Sequence, residues 1–572
     1  MTGKNLGNET GTKSSGKAAY NMRAAEIIAR LLESWGCLTA FGVPGESYLA
    51  LLDALHDIHD FRFIACRQEG GAAMAAEAHA RATGKPGLVM VTRGPGLTNA
   101  SAGIHVAQQG STPLVVLIGM PARETERREA FQELDIQALG QAIGKDALII
   151  RDPDRIGEQL SHAVHLAISG RPGPVLVGLP EDVLTEEAGD PPQALLSPPI
   201  RPCAIPTPNL LARAAEIIAS AKRPFVVAGG AGWTPEATRS LERFASRFGI
   251  PVGAAWRRQD VLNNTNPFYA GHIGLGINPK LAERVRSADV IFVVGARLGE
   301  ATTSGYTIFT PPTIGPVLIH LHPDANELGA VFRPNVALAG DPAETLEALA
   351  DTDPGNVAAR GAWQSDARAD YEEFTFPIHD VGDLQLAQAV AHVSDTVPPE
   401  TTITNGAGNY AIWLHRFFRY RRFGQQLGPQ SGSMGYGIPA AIGAAFANPE
   451  AMVVAFAGDG CALMTIQELA TIVEHRLPIV VIVVDNARFG TIRMHQERDY
   501  PGRTIGTEVT SPDFANVARG FGLAATTVRT TKEFVTAFDA VIGSGAPHLL
   551  HLLPDRRAIS PGKTLLPEGR DQ

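Results

Sequence analysis

Short apolar runs alternate with helix-like stretches along most of the chain. The runs are rich in valine, isoleucine and leucine and lack polar alternation, which is typical of strands covered on both faces of a parallel sheet. The runs are "GLVMVT" (87–92), "PLVVLIG" (113–119), "PVLVGLP" (174–180), "PFVVAGG" (224–230), "ADVIFVVGARLG" (288–299), "PVLIHLH" (316–322), "AMVVAFAGDG" (451–460) and "PIVVIVVDN" (478–486). Helical patterns include "MRAAEIIARLLESWG" (22–36), "EGGAAMAAEAHARATG" (69–84) and "TIQELATIVEHR" (465–476). This alternation predicts an α/β fold built from doubly wound parallel sheets.

Two segments that lack periodicity divide the chain into three blocks. The first, "EEAGDPPQALLSPPIRPCAIPTPN" (186–209), is dense in proline, and the second, near 351–382, is polar. Each block between them has the size of an ordinary domain. We therefore predict a disordered tail (1–19), a first domain (20–185), a linker (186–207), a middle domain (208–350), a linker (351–382), a third domain (383–555) and a C-terminal tail (556–572).

Charge and cysteine content narrow the class of protein. The chain has 49 basic and 59 acidic side chains, a net charge of −10, and no basic run of the kind that binds nucleic acid. No apolar run reaches the length of a membrane span, and the N-terminus lacks the apolar core of a signal peptide. The scattered cysteines disfavour both zinc and a disulfide framework; they are Cys37, Cys66, Cys203 and Cys461. We expect a cytoplasmic protein that binds neither nucleic acid nor membranes.

Two neighbouring apolar runs each end in a small polar group. Asp459 follows one of them, between Gly458 and Gly460, and Asn486 follows the next, 27 residues later. If the two strands are neighbours, the carboxylate and the amide oxygen meet at one edge of the sheet, where ligands of α/β sheets bind. Such oxygens suit Mg²⁺ that shares its shell with phosphates, and the glycines would let backbone amides approach an anion. Alternatively, the two motifs form only a tight turn and a strand-end cap.

The spacing from GDG to Asn resembles the diphosphate–metal motif of thiamine-diphosphate enzymes. Further resemblances run from about residue 20 to 555, and together they are closest to the acetolactate synthase-like branch of the pyruvate-decarboxylase-type enzymes. They are "FGVPG" (41–45), "RQEGGAAMAAEAHARATGKPG" (67–87), "RGPGLTN" (93–99), "GARLGE" (295–300) and "GSMGYGIPAAIGAAFA" (432–447). The resemblance implies a pyrimidine-binding, a middle and a pyrophosphate-binding domain, and a homodimer or homotetramer with active sites at the subunit interface.

The same resemblance implies thiamine diphosphate and Mg²⁺ as cofactors. It assigns the metal to the side chains of Asp459 and Asn486 and the backbone carbonyl of Arg488. The residues that it assigns to the cofactor are Pro44, Gly45, Glu69, Asn99, Ala407, Asn409, Tyr410, Gly432, Met434, Gly458, Asp459, Gly460, Cys461, Asn486 and Gly490. Met434 would wedge beneath the cofactor and bend it; the alternative is a residue that only fills the core.

Glu69 is the expected acid–base residue of this resemblance. A carboxyl group beside N1′ of the cofactor drives the tautomerisation that lets the cofactor remove its own C2 proton. The sequence that follows, "GGAAMAAEAHA", is small and apolar, an environment that should raise a carboxyl pKa. The alternative is a glutamate that only caps or opens the helix.

Substrate-side residues follow from "AFQELD" (130–135) and "GAR" (295–297). The resemblance would place Phe131 and Gln132 near the reacting carbonyl, and Arg297 near the substrate carboxylate. Lys145 falls where the family has a lysine. Each of them could instead be a surface or packing residue.

The chain departs from the acetolactate synthase pattern at four positions. His495 stands in place of the tryptophan that shapes the acceptor pocket, and Thr491 in place of a nearby methionine. Glu46 and Arg93 stand where acetolactate synthases have small residues. We expect His495 to line a larger and more polar pocket; the alternative is a histidine that faces solvent. The segment expected to contact flavin is only "RLGEATTSG" (297–305), which leaves FAD doubtful.

These observations predict an enzyme that decarboxylates a 2-oxo acid and passes the resulting acyl anion, an enamine, to a carbonyl acceptor, as an acetolactate synthase-like carboligase. The alternatives are a non-ligating 2-oxo acid decarboxylase, a benzaldehyde-lyase-like carboligase, and a catalytically silent thiamine-diphosphate-binding homologue. Intact Glu69, Asp459 and Asn486 argue against the last of these.

Overall fold

The first domain is an α/β unit in a computed structural model that describes residues 22–565. The predicted tail over 1–19 lies outside these residues. The first domain consists of strands β1 (Met22–Arg23), β2 (Thr39–Gly42), β3 (Arg62–Ala65), β4 (Gly87–Thr92), β5 (Leu114–Met120), β6 (Asp146–Ile149), β7 (Pro174–Pro180) and β8 (Glu187–Ala188), and helices α1 (Ala24–Ser34), α2 (Leu49–His56), α3 (Glu69–Thr83), α4 (Arg93–Gly110), α5 (Ile136–Ile143), α6 (Ile156–Ile168) and α7 (Glu181–Thr185).

The middle domain repeats the alternation of strand and helix. It consists of strands β9 (Pro224–Ala228), β10 (Val252–Ala254), β11 (Tyr269–His272), β12 (Val290–Val294), β13 (Val317–His322) and β14 (Val336–Ala339), and helices α8 (Pro208–Ser220), α9 (Pro235–Phe248), α10 (Pro279–Ser287), α11 (Pro342–Ala350) and α12 (Gly361–Phe374).

The third domain carries the candidate metal ligands. It consists of strands β15 (Thr402–Asn405), β16 (Gln426–Leu427), β17 (Val453–Gly458), β18 (Ile479–Val484), β19 (Ala524–Val528), β20 (His548–Leu552), β21 (Ala558–Ser560) and β22 (Lys563–Thr564), and helices α13 (Leu386–Thr396), α14 (Tyr410–Phe417), α15 (Gly437–Ala447), α16 (Asp459–Leu463), α17 (Leu469–Glu474), α18 (Gly490–Asp499), α19 (Phe514–Gly520) and α20 (Thr531–Ser544).

Each domain is built on one six-stranded parallel sheet, so the predicted fold class is confirmed. The strand orders are β3-β2-β4-β5-β7-β6, β11-β10-β9-β12-β13-β14 and β16-β15-β17-β18-β20-β19. The first and third sheets therefore share one order. The order reverses between β2 and β4, between β9 and β12, and between β15 and β17, and ligands of such sheets bind outside the carboxyl ends at these switch points.

Helices α3 and α15 join the first and third domains of the same chain into one core. They come so close that a Cβ on Gly443 of α15 would lie 2.0 Å from the carbonyl oxygen of Ala75 in α3. The small residues of α3 make this approach possible, and the packing fixes the end of α3 that carries Glu69.

Two segments that were predicted to lie outside the domains contain regular secondary structure. The segment 351–382 contains α12, which packs on the middle domain: Trp363 donates to the carbonyl of Pro224 at 2.8 Å and Asp370 pairs with Arg284 at 2.6 Å. Its polar residues are tied to that domain, so polarity alone gave a false linker. The described part of the C-terminal tail forms the β21–β22 hairpin, which buries Ile559 against the third domain.

Candidate active site

The edge of the third sheet brings together the two groups predicted to bind metal. Asp459 begins α16 directly after β17, and Asn486 lies two residues beyond β18, the neighbouring strand. Both residues line one cavity of about 360 Å³. The parallel pairing of β17 and β18 explains this, because both strands deliver their carboxyl ends to the same edge.

The Asp459 carboxylate is buried and held by backbone groups. Its two oxygens accept hydrogen bonds from the amides of Gly460 at 2.8 Å and Arg488 at 3.1 Å, and Ser511 donates to it at 3.3 Å. Burial raises the pKa of Asp459 to about 6, although the Gly460 amide favours the ionised form. A bound cation would favour that form much more strongly. Among the residues described, no group of three or more His, Cys, Asp or Glu is placed to hold a metal, so a cation here would depend on amide and backbone oxygens as well.

Asp485 and its partners support this edge, and sequence reasoning missed the partners. Asp485 accepts hydrogen bonds from His551 at 2.9 Å and Ser511 at 2.8 Å. Burial opposes ionisation of Asp485, but the bonds from His551 and Ser511 lower its pKa below the ordinary value. Ser511 bonds to both Asp459 and Asp485, so it links the two strand ends. Neither Ser511 nor His551 belongs to a local motif, so only the fold reveals them.

Two glycines of the cavity wall let aromatic rings pack directly against the main chain. A Cβ on Gly460 would lie 2.7 Å from the Phe489 ring, and a Cβ on Gly458 would lie 3.0 Å from the Tyr410 ring. The structure brings to this cavity most of the residues that the sequence assigns to the cofactor or to the metal: Ala407, Asn409, Tyr410, Gly432, Met434, Gly458, Asp459, Gly460, Cys461, Asn486, Arg488 and Gly490.

Several of these side chains already have partners within the protein. Asn409 donates to the carbonyl of Ile559 at 2.8 Å and accepts from Thr491 at 2.8 Å. The Tyr410 hydroxyl accepts from the Gly406 amide at 2.9 Å and donates to a backbone carbonyl of β17. These bonds hold Asn409 and Tyr410 in place in the wall of the cavity. The carbonyl of Arg488, predicted as a metal ligand, accepts from the Gly490 amide at 2.9 Å and keeps a second lone pair.

Glu69 lies in the first domain, where a hydrogen bond and a neighbouring glutamate of the third domain hold it in place. It is the first residue of α3 and is 9% exposed, and Asn99 donates a hydrogen bond to it at 3.0 Å. The preceding backbone is held by Glu468 of the third domain, which accepts from the amides of Arg67 at 2.9 Å and Gln68 at 3.1 Å. Glu468 is fully buried, and burial raises its pKa. Sequence reasoning missed Glu468, although it lies in the quoted helix "TIQELATIVEHR".

The first-domain residues do not line the cavity of their own chain. Glu69, Asn99, Pro44 and Gly45 are all absent from its wall. Gly45 nevertheless lies at a close approach, because a Cβ there would be 2.4 Å from the Cβ of Thr92. These residues follow β2, β3 and β4 of the first domain, so in one chain they lie apart from the cavity that holds Asp459.

Two predicted substrate-side cations make other contacts. Arg297 donates to the carbonyl of Gln109 in the first domain at 2.8 Å, and burial lowers its pKa. Lys145 donates to the carbonyls of Leu166 and Ser169, each at 2.6 Å. Neither side chain reaches the cavity, so in a single chain both tie structural elements together, and the predicted substrate roles find no support here.

Phe131, Gln132 and His495 lie outside the cavity as well. Phe131 is 68% exposed on a loop, and Gln132 has a φ of 60° and accepts from the Gly94 amide through its carbonyl. His495 is exposed on α18, whereas Thr491 and Ile492 of the same helix line the cavity. The expectation that His495 lines the pocket is therefore not met within one chain, because the cavity ends at Thr491 and Ile492, one helical turn before His495.

Comparison with known proteins identifies the family to which the chain belongs. Models of the thiamine pyrophosphate enzymes match it in three parts: the N-terminal TPP binding domain over 22–139, the central domain over 211–349 and the C-terminal TPP binding domain over 406–552. The chain belongs to the thiamine pyrophosphate enzyme family, as the sequence motifs predicted.

Its relatives include acetolactate synthases. It is 30% identical over 544 residues to "Acetolactate synthase isozyme 2 large subunit" of Escherichia coli (strain K12), covering 93% of this chain and 96% of that protein. It is 31% identical over 549 residues to "Probable acetolactate synthase large subunit" of Methanocaldococcus jannaschii, covering 93% and 92%. It is 29% identical over 565 residues to "Acetolactate synthase 3, chloroplastic" of Brassica napus, covering 96% and 85%. The chain is thus a thiamine-diphosphate-dependent enzyme akin to acetolactate synthase.

Proposed function

We propose that this enzyme decarboxylates a 2-oxo acid and joins the remaining acyl unit to a carbonyl acceptor, as an acetolactate synthase-like carboligase. The observation that carries the proposal is the pair of half-sites in each chain. One half-site offers Asp459, Asn486 and a glycine-lined wall, and the other offers a buried Glu69 held by Asn99. Family membership and the acetolactate synthase relatives favour this reaction over others of the family.

The residues present fit thiamine diphosphate and Mg²⁺. Asp459 is a buried carboxylate without a cationic side chain bonded to it in the part of the chain described, and Gly458 and Gly460, beside it in the cavity lining, carry no side chain that would stand between a diphosphate and the main chain. Asp459, Asn486 and the carbonyl of Arg488 would hold the metal. When bound, the cofactor would supply a nucleophilic carbon, C2 of its thiazolium ring, for addition to the substrate carbonyl.

The chain's own residues would position and exchange protons around that centre. Glu69 would hold or release a proton at its carboxyl group, and Asn99 would fix the orientation of that group through its 3.0 Å hydrogen bond. Glu468 would keep the backbone before Glu69 in place. Met434 and Ile492 would exclude water from the apolar side of the cavity.

The active unit would be at least a homodimer, and a homotetramer is compatible with it. Glu69 does not line the cavity that holds Asp459 in its own chain, so a complete site would combine the first domain of one copy with the third domain of another. A closed two-fold pair would then form two equal sites. FAD is not part of the proposal. No helix in residues 22–565 is long and apolar enough to cross a membrane. A cytoplasmic location is a separate part of the proposal.

The test is a panel of 2-oxo acids, offered with and without carbonyl acceptors, with CO₂ release and product analysis as readouts. A carboligase gives CO₂ and a 2-hydroxy ketone or 2-hydroxy-2-alkyl acid product. CO₂ with only the free aldehyde would make the protein a simple decarboxylase. Ketone formation from aldehydes alone would make it a benzaldehyde-lyase-like carboligase. Binding of thiamine diphosphate with no turnover of any substrate would make it a silent homologue.

A further inference from the structure

Arg257 is a residue of the middle domain that reaches the candidate active site. It follows β10, and it lines the same cavity as Asp459 and Asn486. The residue is 3% exposed, and its guanidinium carbon lies 4.7 Å from the centre of the Trp256 ring, which lines the cavity too. Its backbone has a φ of 55°, an uncommon value for arginine. Backbone strain of this kind tends to occur at functional sites, where the surrounding structure maintains it.

The guanidinium of Arg257 connects the two loops of the third domain to which the family resemblance assigns the cofactor. It donates a hydrogen bond to the carbonyl of Gly406 at 3.1 Å, directly before the segment 407–410. It donates another to the carbonyl of Pro429, shortly before the segment 432–434. Arg257 therefore holds both loops from the middle domain.

The peptide group that Arg257 holds is packed against the GDG motif. A Cβ on Gly406 would lie only 2.2 Å from Sγ of Cys461, the residue that follows Gly460. The Gly406 amide donates to the Tyr410 hydroxyl at 2.9 Å. The positive charge of Arg257 is therefore close to both main-chain segments that line the diphosphate part of the predicted cofactor site.

The protein supplies no anionic partner for this charge. Within residues 22–565, no carboxylate lies within ion-pair distance of Arg257, and its buried Nε–H has no hydrogen-bond acceptor. Burial lowers the pKa of Arg257 to about 10, so it stays a cation at neutral pH. The phenol of Tyr410 is near it, but burial raises the pKa of Tyr410 well above its ordinary value, so this group is neutral. A buried cation without an anion is costly, and an anion bound in the cavity would be stabilised.

Arg360 provides a comparison within the same chain. It is 1% exposed and packs on the middle domain, and its three guanidinium nitrogens donate to five main-chain carbonyls at 2.7–3.0 Å. Every nitrogen of Arg360 thus has a partner, and Arg360 does not line the active-site cavity. Arg257 makes only two such bonds, although it is buried to a similar degree. The difference indicates that Arg257 does more than join main-chain segments.

We propose that Arg257 is a cofactor-positioning residue, which holds the loops 406–409 and 429–434 in place and supplies positive charge to the diphosphate of thiamine diphosphate. The inference rests on the cofactor assignment of the proposed function and not on the identity of the 2-oxo acid or its acceptor. The middle domain would thus take part in cofactor binding, although it contains none of Glu69, Asp459 and Asn486.

The test compares two ligands that differ in negative charge. Thiamine diphosphate and thiamine are each titrated by calorimetry into the full chain freed of cofactor, in excess Mg²⁺, with the increase in Tm as a second readout. Arg257→Gln removes the charge but retains a donor for one carbonyl. It should weaken binding of thiamine diphosphate at least about tenfold, because charges that water screens weakly attract each other over several ångströms. Its effect on thiamine should be much smaller.

Matched variants separate the charge from the hydrogen bonds. Arg257→Lys retains the charge but not the planar fork, and it should keep more affinity for thiamine diphosphate than Arg257→Gln does. Arg360→Gln should lower the Tm of the cofactor-free protein without changing the affinity for either ligand. If Arg257→Gln does not fold, Arg257→Met, whose apolar side chain fills much of the same space, takes its place.

Three results would overturn this inference alone. The first is an equal affinity of the wild type and Arg257→Gln for thiamine diphosphate. The second is a loss of affinity by the same factor for thiamine diphosphate and thiamine, which a purely structural role would give. The third is that Arg257→Lys loses as much affinity as Arg257→Gln. A wild type that binds no thiamine diphosphate in excess Mg²⁺ would overturn the proposed function as well, and this is measured before any variant is made.

Discussion

Arg93 donates a hydrogen bond to Glu46 at 2.8 Å, so two positions at which the chain departs from the acetolactate synthase pattern form one ion pair. Arg93 also pairs with Glu181 at 2.9 Å and lies 5.6 Å over the ring of Phe131. Its backbone has a φ of 43°, an uncommon value for arginine, at the start of α4. Glu46 and Arg93 therefore form one interacting unit in the first domain.

Breaking this pair should have unequal effects on the free energy of unfolding. Arg93→Ser breaks two ion pairs at once, each worth up to about 1 kcal/mol because the Glu46 and Glu181 side chains are 66% and 41% exposed, and it should cost about 1–2 kcal/mol. Glu46→Ala should cost less than about 1 kcal/mol, because its side chain is 66% exposed and solvent screens it. The double variant should cost less than the sum, measured as a double-mutant cycle in urea. Costs that add would contradict the coupling. Arg239→Ser, from an exposed pair, serves as the control.

Asp459→Asn should remove the increase in Tm that Mg²⁺ and thiamine diphosphate cause, without lowering the Tm of the metal-free protein. Burial raises the pKa of Asp459 to about 6, so its ionised form destabilises the metal-free protein above that pH, and this effect fades as the pH falls towards 4. At pH 8 without metal, the variant should therefore melt at least as high as the wild type. Mg²⁺ with thiamine diphosphate should raise the Tm of the wild type alone. An equal cofactor-dependent increase in the variant, or in the wild type with EDTA, would refute the metal assignment. Asp499→Asn, on the exposed end of α18, is the matched control.

Glu69→Gln should retain the fold and cofactor affinity but lose most turnover. The amide still accepts the hydrogen bond from Asn99, but it cannot exchange a proton, so the rate should fall roughly 10²–10⁴-fold. Deuterium exchange at C2 of the bound cofactor measures the step directly. Asn99→Ala, which leaves the carboxyl group but not its donor, should give a smaller loss. A decrease below tenfold in Glu69→Gln would show that another group moves the proton.

Mixing two inactive variants tests whether the half-sites come from different chains. Glu69→Gln and Asp459→Ala chains, unfolded together and reassociated, should recover about a quarter of wild-type activity, because half of random dimers are mixed and each mixed dimer has one intact site. Each variant treated alone should stay inactive. If Glu69 and Asp459 of one chain formed a single site, the mixture would recover nothing.

Helix α18 offers a test of the pocket with two neighbouring residues. Ile492 lines the cavity and His495 does not, so Ile492→Ala should change the relative kcat/KM for a bulky aryl 2-oxo acid and pyruvate by about tenfold or more. His495→Ala should leave that ratio nearly unchanged. The opposite pattern would mean that the partner subunit folds over His495 and restores the role that the sequence suggested.

The sequence by itself determined the features that follow from neighbouring residues along the chain, namely the positions of strands and helices and of the residues at their ends. Continuous apolar runs identify parallel strands, and parallel strands end at one edge, so the meeting of Asp459 and Asn486 follows from the positions at which two neighbouring runs stop. Glu69 at the start of α3 is local in the same sense, since a helix begins where its capping residues stand.

Only the tertiary structure decided which partners the long and polar side chains reach. Arg297 and Lys145 bond to backbone carbonyls, Asn409 bonds to the C-terminal hairpin, and Glu468 crosses to the first domain. Each of these bonds joins residues that are far apart in the chain or packed across an element, so no local pattern records it. A side chain with several rotatable bonds can hydrogen-bond to any suitable group that lies within about 3 Å of its polar atom. Which groups come that close depends on how the domains pack, and so on the fold as a whole.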